Sequence, residues 1–242
     1  GNIVLIVGFR MGLEAVFISS VSAAIVMIIY IEAKIRILKI YEFKFFNKEL
    51  TKDLARYSVP LLPNALNWWV MSGSNRYIIT YFLGMGANGI FEVAIKFPNI
   101  LNAFSNVFTL AWQESAIKEY ESEDKDQYYS HMFNMYMKFQ FCLMLLLISV
   151  TKWMMQFVVT GAEYGEAWRY VPFLYLGTVF LAFSSFYGTG YLSSRDTKGA
   201  FTTSVAGAII NIVFNFILMP IIGLQAASLA NMLGFAGLWM MR

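Results

Sequence analysis

Hydrophobic positions along the chain form long runs that short polar connectors separate. Seven of these runs come close to the roughly 20 apolar residues that a helix needs to cross a membrane. We therefore predict an all-α membrane protein, a multi-pass helical bundle with seven complete spans. The predicted spans are Leu13 to Ile31, Pro60 to Leu83, Gly89 to Trp112, Phe133 to Val150, Tyr170 to Gly190, Phe201 to Met219 and Ala226 to Met241.

The composition supports a membrane protein and argues against several other classes. Hydrophobic residues make up 58% of the 242 positions and charged residues 14%, whereas soluble domains have about 45–50% and about 25%. The net charge of +3 is too small to indicate nucleic acid as a partner. The single cysteine and single histidine exclude a disulfide within the chain and a His/Cys metal site. We expect no metal and no cofactor.

The acidic residues do not suggest an enzyme. Acid–base catalysis usually shows clustered carboxylates or a histidine, and the only acidic cluster, Glu119 to Asp126, falls in a predicted solvated loop. The chain also lacks the glycine-rich phosphate loop of ATP-using proteins. We therefore do not expect catalysis or direct use of ATP.

The basic residues predict the orientation of the spans. If each span crosses the membrane, twelve of the 18 Lys and Arg residues fall on one side and three on the other. Cytoplasmic loops carry the excess of Lys and Arg. The connector of residues 32–53, in which basic residues alternate with apolar ones (KIRILKIYEFKFF), is thus predicted to be cytoplasmic. Its pattern also fits an amphipathic helix in the headgroup region, and the two interpretations are compatible.

An internal similarity predicts two lobes. Gly12-Leu13-Glu14-Ala15 before the first span resembles Gly223-Leu224-Gln225-Ala226 before the last, and repeated halves are common in transporters. The first residues hold only seven consecutive apolar positions, which is less than half a span. We expect residues 1–31 to be the end of an N-terminal lobe in a longer protein, 32–53 a cytoplasmic linker, and 54–242 a six-helix C-terminal lobe.

The second predicted span carries polar residues that a plain lipid anchor does not need. Asn64, Asn67 and Asn75 lie with Ser74 on an arc of about 100° of this helix. Polar groups in hydrocarbon are costly and normally face a bundle interior or a wet cavity. Arg76 follows directly, and its guanidinium suits either the outer headgroups or a phosphate.

A polar stripe follows the third predicted span. Its members are three or four residues apart and cover an arc of about 140°. Glu92 and Lys96 are placed to form an ion pair that lowers the cost of burial. The stripe predicts either a seam of amides between helices or a hydrated groove for a polar head group beside Pro98. Its members are Glu92, Lys96, Asn99, Asn102, Asn106, Thr109 and Gln113.

Several segments resemble the Wzx-type flippases of lipid-linked oligosaccharides, which are polysaccharide exporters of the multidrug/oligosaccharidyl-lipid/polysaccharide superfamily. The resemblance covers nearly the whole chain, although its motifs are diffuse runs. The segments are YSVPLLPNALNWWV, NRYIITYFLG, GIFEVAIKFPNIL with FTLAW, EAWRYVPFLYLG, SSRDTKGA and NIVFNFILMPIIGLQAASLAN.

The resemblance implies a transporter of 12 to 14 helices in two lobes around a central cavity, in the bacterial cytoplasmic membrane. Such proteins turn an undecaprenyl-diphosphate-linked sugar unit between leaflets by alternating access. The implied partners are this substrate, membrane lipids and a monovalent cation or a proton. Arg76 would help hold the diphosphate, and Lys96 would lie in the matching face of the next helix. Family members often have an acidic residue where this chain has Asn75.

The expected substrate-binding residues are Arg76, Lys96, Asn64, Asn67, Asn75, Glu92, Asn99 and Asn102. Two alternatives remain at this point. An ion-coupled drug or metabolite antiporter of the same superfamily would have a more apolar cavity and a buried carboxylate, for which Glu92 is the candidate. An integral-membrane enzyme of glycan assembly, such as a polymerase, would have large outward loops with charged clusters, whereas the longest outward loop predicted here, residues 151–168, is short.

Overall fold

A computed structural model of the chain describes residues 5, 14–36, 47–58, 62–119, 122–159, 161, 164–193 and 197–242. The described residues are almost entirely helical and contain no strand. The chain divides into two compact units, residues 1–55 and 56–242. The prediction of an all-α membrane bundle is confirmed.

The first unit contains the helix α1, Glu14–Ile35. Its outer surface is apolar and mostly exposed, which is typical of a helix that lipid or another segment covers. A second helix, α2, spans Lys48–Ser58. It begins after Asn47, whose side-chain oxygen accepts a 2.9 Å hydrogen bond from the amide of Glu49 as an N-cap. Of the predicted linker, residues 37–46 lie outside the described part of the chain.

The second unit begins with a helix that turns back on itself. The helix α3 covers Leu62–Lys96, but Gly84 within it has φ 85° and ψ 177°. Arg76 and Glu92 are 16 residues apart and hydrogen-bonded at 3.0 Å. A straight helix would separate their backbones by about 24 Å, which is beyond the reach of the two side chains. The chain therefore reverses at Gly84, where a conformation that only glycine adopts readily allows the turn.

The returning segment bends again at Phe97. Pro98 has no amide hydrogen, so α3 ends at Lys96 and the next helix, α4, covers Pro98–Lys118. Phe97 keeps helical dihedral angles, and its amide bonds the carbonyl of Ala94 in a tighter turn. The predicted span from Gly89 to Trp112 is therefore two helical segments and not one straight helix.

The remaining helices form the body of the second unit. The helix α5 covers Lys125–Val158, and a short 3₁₀ helix, Ala167–Arg169, precedes α6, Val171–Ser193. The last two helices are α7, Thr197–Ile222, and α8, Gln225–Met240. The helices α5 and α7 contain the predicted spans Phe133 to Val150 and Phe201 to Met219. The helices α6 and α8 match the predicted spans Tyr170 to Gly190 and Ala226 to Met241 to within three residues at each end.

The prediction of seven complete spans was wrong in number. Among the described residues, five helical stretches are long and apolar enough to cross a membrane. The stretch Gly73–Lys96 contains the reversal at Gly84, so it joins the end of the second predicted span to the start of the third. The rest of the third predicted span, in α4, carries many amide and charged side chains, and the seventh, in α8, has 16 residues. The five stretches are Glu14–Ile35, Gly73–Lys96, Lys125–Phe157, Val171–Tyr191 and Lys198–Ile222.

A group of stacked rings, called the aromatic cluster below, joins α4, α5 and α6. Trp112 stacks on Phe186 with ring centroids 4.3 Å apart, and Phe108 stacks on Tyr136 at 3.8 Å. The indole nitrogen of Trp112 donates a 3.0 Å hydrogen bond to the Thr189 hydroxyl. Large buried rings contribute much of the packing energy of a core. The cluster consists of Phe108, Trp112, Tyr128, Tyr129, Phe133, Tyr136, Phe183, Phe186 and Tyr187.

Small residues bring α7 and α8 close together. A β-carbon added at Gly234 would lie 2.9 Å from the β-carbon of Asn211, and one added at Gly207 would lie 3.0 Å from the carbonyl oxygen of Gly234. Glycine at such positions lets membrane helices approach at backbone distance. The close approach places Asn211 against α8, in the interior of the unit.

Candidate functional site

A polar cavity lies inside the second unit, bordered by α3, α4, α6, α7 and α8. It has a volume of about 270 Å³. Amide side chains supply most of its polar groups, so it is called the amide cavity below. Its lining residues are Asn75, Arg76, Ile95, Pro98, Asn99, Asn102, Leu174, Thr178, Leu181, Asn211, Asn231 and Phe235.

One asparagine of α7, Asn211, borders the cavity, and a second, Asn215, lies one turn further along the same helix. Asn211 and Asn215 are four residues apart, so they lie on the same face of the helix. Asn215 donates a hydrogen bond from its amide nitrogen to the side-chain oxygen of Asn75 on α3. Asn211 is only 1% exposed, and its side-chain oxygen has no hydrogen-bond partner among the described residues. A buried acceptor without a partner is costly, so a ligand or a water molecule that bonded this oxygen would offset the cost.

The first turns of α4 supply the opposite wall. Pro98 starts the helix, and Asn99 and Asn102 follow on its cavity side. Asn99 is exposed and Asn102 is half-buried. The bend at Phe97 positions these two amides, because it redirects the chain just before them.

Arg76 borders the amide cavity and is already paired. Its guanidinium bonds the carboxylate of Glu92 at 3.0 Å across the turn at Gly84. The side chain of Arg76 is 59% exposed and that of Glu92 is 28% exposed. The ion pair predicted between Glu92 and Lys96 is not formed; the partner of Glu92 is Arg76, because the reversal of the chain brings position 76 beside position 92.

Glu92 and Lys96 line a different cavity. It has a volume of about 480 Å³ and also contacts Met154, Val159 and Tyr164. The predicted polar stripe is therefore not one continuous wall. The bend at Phe97 separates its first two members from Asn99 and Asn102, and Asn106 is exposed away from both cavities.

Four of the eight expected binding residues meet at the amide cavity: Asn75, Arg76, Asn99 and Asn102. Two others, Glu92 and Lys96, meet at the second cavity. The side chains of Asn64 and Asn67 lie outside the described part of the structure, although their backbone belongs to α3. The binding role of all eight residues stays a prediction.

Sequence reasoning missed the contribution of the last three helices. Thr178, Asn211 and Asn231 border the amide cavity, together with the ring of Phe235. A signal for one of them was present, because Asn211 and Asn215 interrupt an apolar run with helical spacing. The same test that selected Asn64 in the second predicted span selects Asn211 and Asn215.

The chemistry of the amide cavity is that of uncharged hydrogen bonding. Each asparagine offers one acceptor oxygen and two donor hydrogens. Its described lining residues include no carboxylate, and the single cation, Arg76, has Glu92 as its partner. Among the described residues, no group of three or more His, Cys, Asp or Glu side chains could hold a metal ion. The cavity thus suits a polar ligand without a large charge.

Comparison with known proteins gives one match. The family model described as "Polysaccharide biosynthesis protein" matches residues 2–113, which is somewhat under half of the chain. No curated protein and no solved structure matches the chain. The matched region contains all eight predicted binding residues, but not α6, α7 and α8, which complete the amide cavity. This chain is an integral membrane protein that is similar, over residues 2–113, to polysaccharide biosynthesis proteins.

Proposed function

We propose that this chain is part of a flippase that moves a lipid-linked oligosaccharide across the bacterial cytoplasmic membrane. The observation that carries the proposal is an amide-lined cavity within membrane-spanning helices, in a chain that is similar to polysaccharide biosynthesis proteins. A hydrophilic sugar cannot cross hydrocarbon unaided, because its hydroxyl groups would lose their hydrogen bonds. A path of amides replaces those bonds.

Arg76 is the group that would meet the diphosphate of the substrate. It is the one cation at the edge of the amide cavity, and its fork-shaped guanidinium binds phosphate oxygens in pairs. In the unliganded chain Glu92 occupies this guanidinium. The diphosphate would therefore displace a carboxylate when it binds, and the displaced Glu92 would be free to take up a proton or a monovalent cation.

The proposed activity is transport without covalent chemistry, and it needs no cofactor. Alternating access is driven by an ion gradient or by the binding and release of the substrate. The amide cavity favours this function over a drug antiporter, because its described lining includes five asparagines and no carboxylate.

The test uses the full-length protein in lipid vesicles with a lipid-diphosphate-linked oligosaccharide in one leaflet. We expect the protein to accelerate transfer of the glycan to the other leaflet. Arg76→Gln should slow transfer by about 10- to 100-fold, since hydrogen bonds to charged groups contribute about 1.5–3 kcal/mol. The measurement is the rate at which the sugar becomes accessible to a lectin or a glycosidase outside the vesicle.

The matched control is Lys118→Gln, which removes an ion pair of similar length between Lys118 and Glu114 on the exposed side of α4. We expect this variant to keep transfer within about twofold, because exposed pairs contribute little. A full-length protein that gives no acceleration would contradict the flippase. Equal loss in the two variants would show that Arg76 has no special contact with the substrate.

A further inference from the structure

Resting on the proposed function, we infer that the amide cavity holds an uncharged sugar ring of the substrate, and that the diphosphate binds at the edge of this cavity, at Arg76. This assigns different parts of one substrate to different side chains. Three features of the cavity support this assignment: its volume, the charge of its lining and the buried side-chain oxygen of Asn211.

The volume fits a single ring. Small-molecule sites usually measure about 300–1,000 Å³, and the amide cavity measures about 270 Å³. It cannot enclose a whole oligosaccharide with its diphosphate, so only one part of the substrate enters.

The charge of the lining selects an uncharged part. Away from Arg76, which lies at the edge of the cavity, the described lining holds no cation, so a diphosphate placed among the inner amides would lose its hydration without a charge to replace it. A cation would find amide oxygens, but the described lining includes no carboxylate. Hydroxyl groups both donate and accept hydrogen bonds, as amides do. The lining therefore matches a polyhydroxylated group better than it matches either ion.

Two details of the lining match the shape of a sugar ring. Such a ring carries hydroxyl groups at its edge and C–H bonds on its faces. Asn211 borders the cavity, and its buried side-chain oxygen has no partner among the described residues, so it can accept from a hydroxyl once the side chain turns toward the cavity. Phe235 and Leu181 provide apolar surface for a face of the ring.

The experiment separates the two parts of the substrate. Binding to the full-length protein in nanodiscs is measured with a lipid-linked oligosaccharide extracted from cells that make the glycan, and with undecaprenyl diphosphate that carries no sugar. Asn102→Leu removes hydrogen bonding at nearly constant volume. We expect it to weaken binding of the glycosylated lipid by about tenfold or more and to change binding of undecaprenyl diphosphate less than twofold.

Arg76→Gln should instead weaken binding of both ligands. The control is Asn134→Leu, which makes the same change at an exposed position of α5 outside the cavity. Asn211→Leu, with thermal unfolding measured in parallel, provides a second variant in case Asn102→Leu does not fold.

The outcomes distinguish this inference from the proposed function. If the unaltered protein binds neither ligand, both are wrong. If it binds both ligands and Asn102→Leu affects them equally, or affects neither, the sugar site is wrong and the flippase stands. If the variants change only a dependence on sodium or on pH, the cavity takes a cation and the inference is overturned.

Discussion

The amide cavity and the aromatic cluster are built on two of the same helices but differ in how their polar groups are used. At one end of α4, Asn99 and Asn102 border open space. At the other end, Trp112 is 2% exposed and donates to Thr189 on α6. Tyr129 similarly donates from its hydroxyl to the carbonyl of Ala116 at 2.8 Å. Trp112 and Tyr129 thus donate within the protein, whereas Asn211 at the cavity has an acceptor without a partner among the described residues. Within the cluster, the buried hydroxyl of Tyr136 is the exception, since it also has no partner there.

This difference indicates that the aromatic cluster on α4 and α6 contributes stability, whereas the amide cavity on the same helices is suited to binding. A closely packed aromatic core stabilises the fold, because the removal of one ring abolishes its van der Waals contacts and leaves a cavity. A polar cavity with an unpaired acceptor reduces stability. Such a cavity is tolerated where a ligand or water completes the hydrogen bonding. We therefore expect substitutions in the aromatic cluster to lower stability, and substitutions in the amide cavity to weaken binding with little loss of stability.

The largest expected effect on stability is at Trp112. Trp112→Ala should lower the free energy of unfolding by about 3–5 kcal/mol, because it removes the ring at the centre of the aromatic cluster. Thermal unfolding of the purified protein in detergent measures the change. Trp153→Ala is the control, since Trp153 is 63% exposed and contacts Phe157 only at the surface. A loss below about 1 kcal/mol at Trp112 would contradict the assigned role of the cluster.

A smaller effect is expected at Gly84, which brings Arg76 back to Glu92. Gly84→Ala should cost about 1–3 kcal/mol, because the backbone there has φ 85° and ψ 177°. Gly86→Ala is a matched control. An added β-carbon meets nothing within 4 Å at either position, and Gly86 does not have a positive φ. Similar melting temperatures for the two variants would show that the turn is not constrained at Gly84.

The smallest expected effect is at the amide pair between α3 and α7. Asn215→Leu should cost about 0.6 kcal/mol, the average measured for hydrogen bonds between membrane helices, and at most about 1.7 kcal/mol. A double-mutant cycle with Asn75→Leu, followed by thermal unfolding, isolates the contribution of the bond. Additive losses would show that Asn75 and Asn215 do not interact. In contrast, Asn211→Leu should leave stability unchanged or raise it, because it removes an acceptor that has no partner.

Much of the fold follows from local pattern. Four of the five long apolar stretches coincide with single predicted spans, since about 20 apolar residues in a row have few alternatives to a membrane helix. The failures are also local. Pro98 divides the third predicted span because it cannot donate to the helix. Because helical spacing was counted across Pro98, Glu92 and Lys96 were wrongly assigned to the same wall as Asn99 and Asn102.

The candidate site was only partly predictable for a different reason. Polar residues within apolar runs identify positions that avoid lipid, and this selected Asn75, Asn99 and Asn102. Periodicity along one helix gives no information about which helix it faces. The contribution of Asn211 and Asn231 depends on the close approach of α7 and α8 at Gly207 and Gly234.

The sequence by itself determined that the chain is a helical membrane protein with polar groups in its spans, because hydrophobic runs and costly buried amides are properties of single segments. Only the tertiary structure decided that Arg76 pairs with Glu92 and that amides from three parts of the chain enclose one cavity. Both arrangements depend on the reversal of the chain at Gly84 and on helix packing. Distances between residues that are far apart in sequence are set by those two features.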